Sequence, residues 1–362
     1  MGSDLKLPLL TASLPGTGGV LKSEPEDFQV EELPSYEPEG QGPHLYLWVE
    51  KRALPARQAL GRLSRVFGGR PNDVGQAGIK DTQAVTRQWF SVLDEAKRWT
   101  AQEALEADLG PELKILKAAR HRNRLKTGHL RGNRFEVVIR GVGPDALERA
   151  EAKVQALIRK GVPNFYGAQR FGRDGQNVDV GLELLRDQKP LSGAARKVVR
   201  DKFRKRLIIS AVQSWLYNQM LTRRLQEGHL HTVWDSDAMI KLTSGGRFVV
   251  EDAAAEQARF DAREIVHAGP IVGHKAPLSE GLPGELERAV LAEAGIEQAD
   301  FKRFKKLALG TRRANLVYPG GLEVAADPNG LRLRFELPPG SYATVLLDEI
   351  IHPCVGEDNG QN

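Results

Sequence analysis

PDALERAEAKVQALIRKGVPN, running from Pro144 to Asn164, is the stretch on which the reading of the fold turns. Its apolar residues Leu147, Ala150, Val154, Leu157 and Ile158 share one face of a 3.6-residue helix, so Pro144 to Lys160 reads as a helix. Gly161 stands where a left-handed C-terminal cap belongs, and Val162-Pro163-Asn164 breaks the chain. The sequence differs in character on the two sides of this break.

Upstream, short strands and helices mix. Phe28 to Glu31 alternates apolar and polar, as a half-buried strand does. Leu45 to Val49 (LYLWV) predicts a strand covered on both faces. Ala59 to Phe67 shows helical spacing at Leu60, Leu63 and Phe67 and stops at Gly68-Gly69. Gln88 to Leu93 (QWFSVL) and Phe135 to Arg140 (FEVVIR) predict further strands. Downstream, to about Arg312, the character is mainly helical. Arg206 to Leu225 carries Ile208, Val212, Trp215, Leu216 and Met220 at helical spacing, with Trp215 read as core. Phe171 to Asp174 and Ser244 to Gly246 read as loops.

Strand character returns at Leu331 to Leu337, where Leu331, Leu333, Phe335 and Leu337 alternate with Arg332, Arg334 and Glu336. Pro338-Pro339-Gly340 is a turn, and Ser341 is placed to cap a last helix through Ile351. The order implies an α+β domain at the start of the chain, an inserted helical segment, and a return to the first domain. Gly161-Val162-Pro163 and Thr311-Arg312-Arg313 are the natural entry and exit points. Two consecutive domains, with the final strand in the second, fit the same periodicity.

Composition bounds the function. Of the 362 residues, 41% are hydrophobic and 27% charged, enough apolar material for a folded core. No apolar run reaches the length of a membrane span, and Met1 to Pro15 does not read as a signal peptide. The single cysteine, Cys354, rules out an internal disulfide and Cys-rich zinc sites, and fits a reducing cytoplasm. Lys and Arg number 52 against 47 Asp and Glu, but their placement is uneven. His121 to Arg134 (HRNRLKTGHLRGNR) carries five Lys/Arg, two His and no acid, and Arg186 to Arg206 carries nine Lys/Arg against two Asp. Lys302, Arg303, Lys305, Lys306, Arg312 and Arg313 form a third cluster. Such clusters suit contact with phosphate, although a basic cluster is more often a solvated face.

Several chemistries lack their motifs. There is no GxxxxGK[ST] loop, no GxGxxG after a strand, no HExxH and no GxSxG. A zinc-type base deaminase needs paired cysteines that this chain does not have. An RNA-modifying enzyme built from this sequence is therefore expected to work without metal or organic cofactor.

Ala77 to Trp89 reads AGIKDTQAVTRQW, which sets Asp81 on a glycine-bearing loop ahead of a strand. By itself that is a common place for a cap or a hydrated carboxylate. Five separated segments say more: LKSEPEDFQVE (21–31), QAGIKDTQAVTRQW (76–89), GNRFEVVIR (132–140), GVPNFYGAQRFG (161–172) and LPPGSYAT (337–344). In order and separation they resemble the TruD family of tRNA pseudouridine synthases. Ser23-Glu24 and Tyr342 are mild variants within these segments.

The resemblance implies a fold and a reaction. The fold is an α+β pseudouridine synthase domain with a mixed or antiparallel sheet, formed by residues 1–160 and 313–362. It is interrupted by a mainly helical α/β insertion, the TRUD domain, at residues 161–312. The reaction is isomerisation of uridine to pseudouridine at position 13 in the D-arm of tRNA. The implied partner is tRNA alone, with a monomeric, cytoplasmic enzyme and no membrane.

Asp81 takes the place of the catalytic carboxylate, beside C1′ of the target nucleotide, where it attacks covalently or assists deprotonation of the sugar. A buried carboxylate needs a nearby cation to stay ionised. Lys22 fills that role better than Lys80, because adjacent residues in extended chain point opposite ways. Lys80 is read as lining the active site or, equally, as a surface or phosphate contact. Phe135 matches the family's aromatic position for stacking uracil, with Asn133 near Asp81 or the ribose. Phe28 lines the pocket or fills the core, and Glu26 and Asp27 pair with Arg or cap backbone. Gln169 and Arg170 are expected to touch RNA or hold a domain junction. Arg122, Arg124 and Lys126 are expected to contact RNA phosphate. A noncatalytic tRNA-binding or tRNA-folding protein would share the basic clusters but has no use for Asp81. A methyltransferase would need a donor site the sequence does not offer.

Overall fold

A computed structural model describes residues 5–187 and 190–352. Cys354 lies outside them. The fold is α+β, and the described chain forms two compact units. One comprises Ser13–Arg159, Tyr318–Ala343 and residues 350–352; the other comprises residues 5–12, Lys160–Val317 and Thr344–Glu349.

The first unit is built on a nine-stranded mixed sheet. Its main path runs Gly320–Asp327, Gly330–Leu337, Leu130–Arg140, Phe28–Pro34, Val85–Leu93, His44–Arg52 and Leu113–His121. Two short strands, Val20–Leu21 and Gly75–Gln76, pair at its side. Every pairing is antiparallel except Phe28–Pro34 with Val85–Leu93, which is parallel and sets Val30 opposite Thr86. The LYLWV segment is covered on both faces, as its unbroken apolar run predicts. Leu45, Leu47 and Val49 pack under the helix Ala56–Phe67 with Ala59, Leu63 and Phe67. Tyr46 and Trp48 pack on the opposite face against Trp89 and Leu125. Burying each such Leu or Phe contributes ~1.5–3 kcal/mol.

The predicted helix ahead of the break is present as Ala146–Lys160, and Gly161 has φ +78°, which glycine adopts without strain. The final strand and turn are followed by the helix Ala343–Ile351.

The second unit centres on the 25-residue helix Lys202–Gln226, capped by Asp201, whose carboxylate accepts from the backbone N–H groups of Phe203 and Arg204. Ile209, Val212, Leu216 and Met220 form its buried face, with Trp215 packed half-buried against the same core. This unit is less helical than its sequence predicts. It holds a four-stranded sheet of Arg247–Val249, Ala238–Lys241, Ile265–Ile271 and Thr311–Ala314. Three of these strands have only three or four residues, too few to show a period of two. The longest contains Gly269 and Pro270, which blur the pattern. Among the described residues no helix is long and apolar enough to cross a membrane.

Candidate active site

Residues 77–84 lie between the short strand Gly75–Gln76 and the strand Val85–Leu93, with no ladder of their own. Side chains and neighbouring loops supply the missing hydrogen bonds. The buried Gln88 amide donates to the Gly78 carbonyl (2.9 Å), and the Gly128 N–H donates to the Ala77 carbonyl (2.9 Å). The Lys51 ammonium donates to the carbonyl of Asp81 (2.7 Å). Burial lowers the Lys51 ammonium to about 8, with the Asp81 charge acting in the opposite direction. The backbone of the Asp81 loop is thus held from the sheet, and its carboxylate is left to other partners.

That partner is Lys22. Its Nζ lies 2.8 Å from Asp81 Oδ1, with the two side chains 17% and 30% exposed. Lys22 directly follows the short strand Val20–Leu21 and holds φ +58°, a left-handed conformation that costs a non-glycine residue on the order of 1 kcal/mol. The same ammonium sits 4.0 Å from the centroid of the Phe28 ring, whose π face favours a cation. Asp81 Oδ2 accepts no hydrogen bond among the described residues, which leaves one carboxylate oxygen free on the solvent-accessible side.

Lys80 behaves differently from its sequence neighbour. It is buried, so the reading of it as a surface or phosphate contact is incorrect. Its Nζ lies 3.2 Å from Glu32 Oε2 and donates to Asn133 Oδ1 (2.6 Å). Glu32 and Asn133 face each other in register on adjacent strands, and Lys80 closes the triangle. Burial raises the Glu32 carboxyl and lowers the Lys80 ammonium, while each charge pulls the other back. Asn133 therefore orients Lys80, one residue from Asp81.

Phe135 is buried. Its ring stacks on Phe335 at 5.1 Å and 18° and meets Phe28 edge-on at 6.1 Å. The three rings join the sheet core to the Lys22–Asp81 pair through Phe28, which both fills the core and underlies the Lys22 ammonium. Glu26 and Asp27 pair with arginine, as expected. Asp27 takes the Arg140 guanidinium (2.9 Å) and also accepts from the Glu24 N–H, while Glu26 binds Arg52.

Sequence reasoning missed Lys51, Glu32, Gln88 and Phe335 as parts of this constellation. A signal existed for two of them. Lys51 continues the inward alternation of Leu45, Leu47 and Val49, and Glu32 continues that of Phe28 and Val30. A charge at an inward position of a strand marks a buried partner.

The expected phosphate contacts divide. Arg124 reaches the backbone carbonyl of Asn72 (2.6 Å) and is a brace for that loop. Arg122 is exposed and paired with Glu39 (3.0 Å). Lys126 is exposed and lines a cavity of about 480 Å³ with His121, Asn123, Arg124 and His129. In the second unit Gln169 is exposed, and Arg170 donates to Ser214 Oγ (3.1 Å). The third basic cluster is partly internal: Arg312 pairs with Glu287 (2.6 Å), and Arg313 binds Asn164 (2.6 Å) and lies over the Tyr166 ring.

The family model for tRNA pseudouridine synthase D (TruD) matches residues 4–205 and 184–350. The chain belongs to the TruD family. Among curated TruD relatives, the tRNA pseudouridine synthase D of an Anaeromyxobacter dehalogenans strain is 45% identical over 346 residues, covering 95% of this chain and 96% of its own. That of a Thermus thermophilus strain is 40% identical, covering 96% and 92%. The crystal structure of a TruD protein from Methanosarcina mazei superposes with a TM-score of 0.74 at 26% identity, over 95% of this chain and 96% of that one. The TruD fold thus extends across both units described above.

Proposed function

We propose that this TruD protein isomerises uridine to pseudouridine in tRNA, at position 13 of the D-arm, with Asp81 as its catalytic carboxylate and no cofactor. Membership in a family of tRNA pseudouridine synthases supports the isomerase activity and the tRNA substrate. The observation that carries the role of Asp81 is its pairing with Lys22: a half-buried carboxylate, held at Oδ1 by one ammonium and open at Oδ2.

The reaction breaks the C1′–N1 bond, turns the uracil, joins its C5 to C1′, releases the C5 proton to water and leaves N1 to take up a proton from water, so that the product is an isomer of the substrate. A carboxylate beside C1′ serves either as nucleophile toward C1′ or as base toward the sugar. Lys22 holds Oδ1 of the carboxylate through its ammonium and so fixes the direction in which the other oxygen points. Lys51 and the Lys80–Glu32–Asn133 triangle hold the loop so that the carboxylate does not drift from the sugar. Residues 1–160 and 313–362 make up the catalytic domain in this reading, and 161–312 the TRUD insertion. Arg122 and Lys126 form its phosphate-facing edge, with Arg124 bracing the loop beside them, Phe135 with Phe28 its aromatic lining, and Gln169 and Arg170 further RNA contacts.

Tritium release from tRNA labelled at C5 of uridine tests the proposal. The wild type releases label mapping to one D-arm uridine, and Asp81→Ala releases none while still binding tRNA. Full activity in Asp81→Ala, or label lost from another region of the tRNA, would refute it.

A further inference from the structure

The loop that carries Asp81 also displays a large apolar side chain to solvent. Ile79 is 79% exposed, between the buried Ala77 and the buried Lys80. A lone exposed aliphatic residue is ordinary by itself. Here the surrounding backbone makes it informative, because each neighbour is tied inward. The Ala77 carbonyl accepts from Gly128, the Gly78 carbonyl from Gln88, and the Asp81 carbonyl from Lys51. Lys80 is locked between Glu32 and Asn133. Ile79 is the residue of this run that takes part in none of these ties, and its β-branch restricts the directions in which it can point. A stiff apolar group therefore stands out from a fixed platform two residues, at most ~7 Å of chain, from the reacting carboxylate.

A base that meets a carboxylate beside its own C1′ has left its stack, and the vacated space between its neighbours is apolar and one base thick. Proteins that hold nucleic acid in this state insert an aliphatic or aromatic wedge there. We infer that Ile79 enters the stack in place of the target uridine and holds the flipped-out conformation, acting as a positioning residue and not on the chemistry. The inference rests on the reading of Asp81 as the catalytic carboxylate.

The test compares Ile79→Ala and Ile79→Leu with wild type in single turnover, on folded tRNA and on the same tRNA with abasic sites flanking the target uridine. On folded tRNA, Ile79→Ala is expected to be about 10-fold or more slower, and Ile79→Leu close to wild type. On the abasic substrate, where little stacking has to be replaced, all three are expected to agree. A second arm needs no turnover. With 2-aminopurine beside the target uridine, binding of Asp81→Asn raises fluorescence, and Asp81→Asn/Ile79→Ala raises it less. Equal rates on folded tRNA, an Ile79→Ala defect that is the same on both substrates, or equal fluorescence in the second arm would overturn the wedge. Absence of product from wild type would refute the reading of Asp81 while the fluorescence arm still decides on Ile79. The side chain is exposed, so Ile79→Ala is expected to keep the wild-type melting temperature.

Discussion

Lys22 and Asp81 are 59 residues apart in sequence and 2.8 Å apart at Nζ and Oδ1. The pair depends on two strands that are not neighbours in the chain. Val20–Leu21 runs beside Leu130–Arg140, and the Asp81 loop leads into Val85–Leu93. The parallel pairing of Phe28–Pro34 with Val85–Leu93 brings these ends of the sheet together.

If Lys22 orients the Asp81 carboxylate through this ion pair, Lys22→Met should lower kcat by about 10²–10³-fold, the usual cost of removing one preorganised hydrogen-bond donor from a reacting centre. The KM for tRNA should change little, because Lys22 faces Asp81 and Phe28. Steady-state kinetics on one tRNA checks this, and a change confined to KM would assign Lys22 to RNA binding.

The Glu32–Lys80 pair is buried, so removing either partner strands a charge. Glu32→Leu and Lys80→Met should each destabilise the fold by ~3–5 kcal/mol, and the double variant by less than the sum. Urea unfolding of the four proteins measures the coupling. Additive losses would mean that the two groups do not share one environment.

Lys51 gives a pH signature. Its ammonium titrates at about 8 in the folded protein against 10.5 for the free side chain. Between those values the unfolded chain binds more protons than the folded one, so this group makes stability rise with pH across that window. Below about pH 8 both states are protonated, and the full cost of the buried charge is present. Lys51→Met should flatten the rise in the urea midpoint between pH 8 and 10.5. A wild type that loses stability relative to the variant over that window would contradict the assignment.

On the basic 121–134 segment, Lys126 and Arg124 should separate in experiment. Lys126→Glu should weaken tRNA binding and reduce the slope of log K against log salt by about 1, as loss of one phosphate contact does. Arg124→Glu should instead lower the melting temperature, because its guanidinium holds the Asn72 carbonyl. A salt slope unchanged in Lys126→Glu would take that residue off the interface.

Much of the fold was legible because its signals are local. The helix at 146–160 and its glycine stop, the doubly covered strand at 44–52 and the returning strand at 330–337 each follow from the spacing of apolar residues within one element. The four-stranded sheet of the second unit was not legible, since its strands are short and one carries a glycine and a proline. At the site, Lys22 as the cation beside Asp81 could be reached from motifs.

What the amino-acid order by itself determined was the principal elements of the first unit, the long helix of the second, the family and the loop that bears the carboxylate. Only the tertiary structure decided the partners of Lys80 and Lys51. Lys80 turned out to be a buried ion-pair member because Glu32 and Asn133 lie in register across two strands. Lys51 reached the Asp81 backbone because its strand pairs antiparallel with Val85–Leu93. The alternation within a strand fixes which of its residues face inward, but which residue of a distant strand stands opposite depends on both strands at once, so neither segment alone records the pairing.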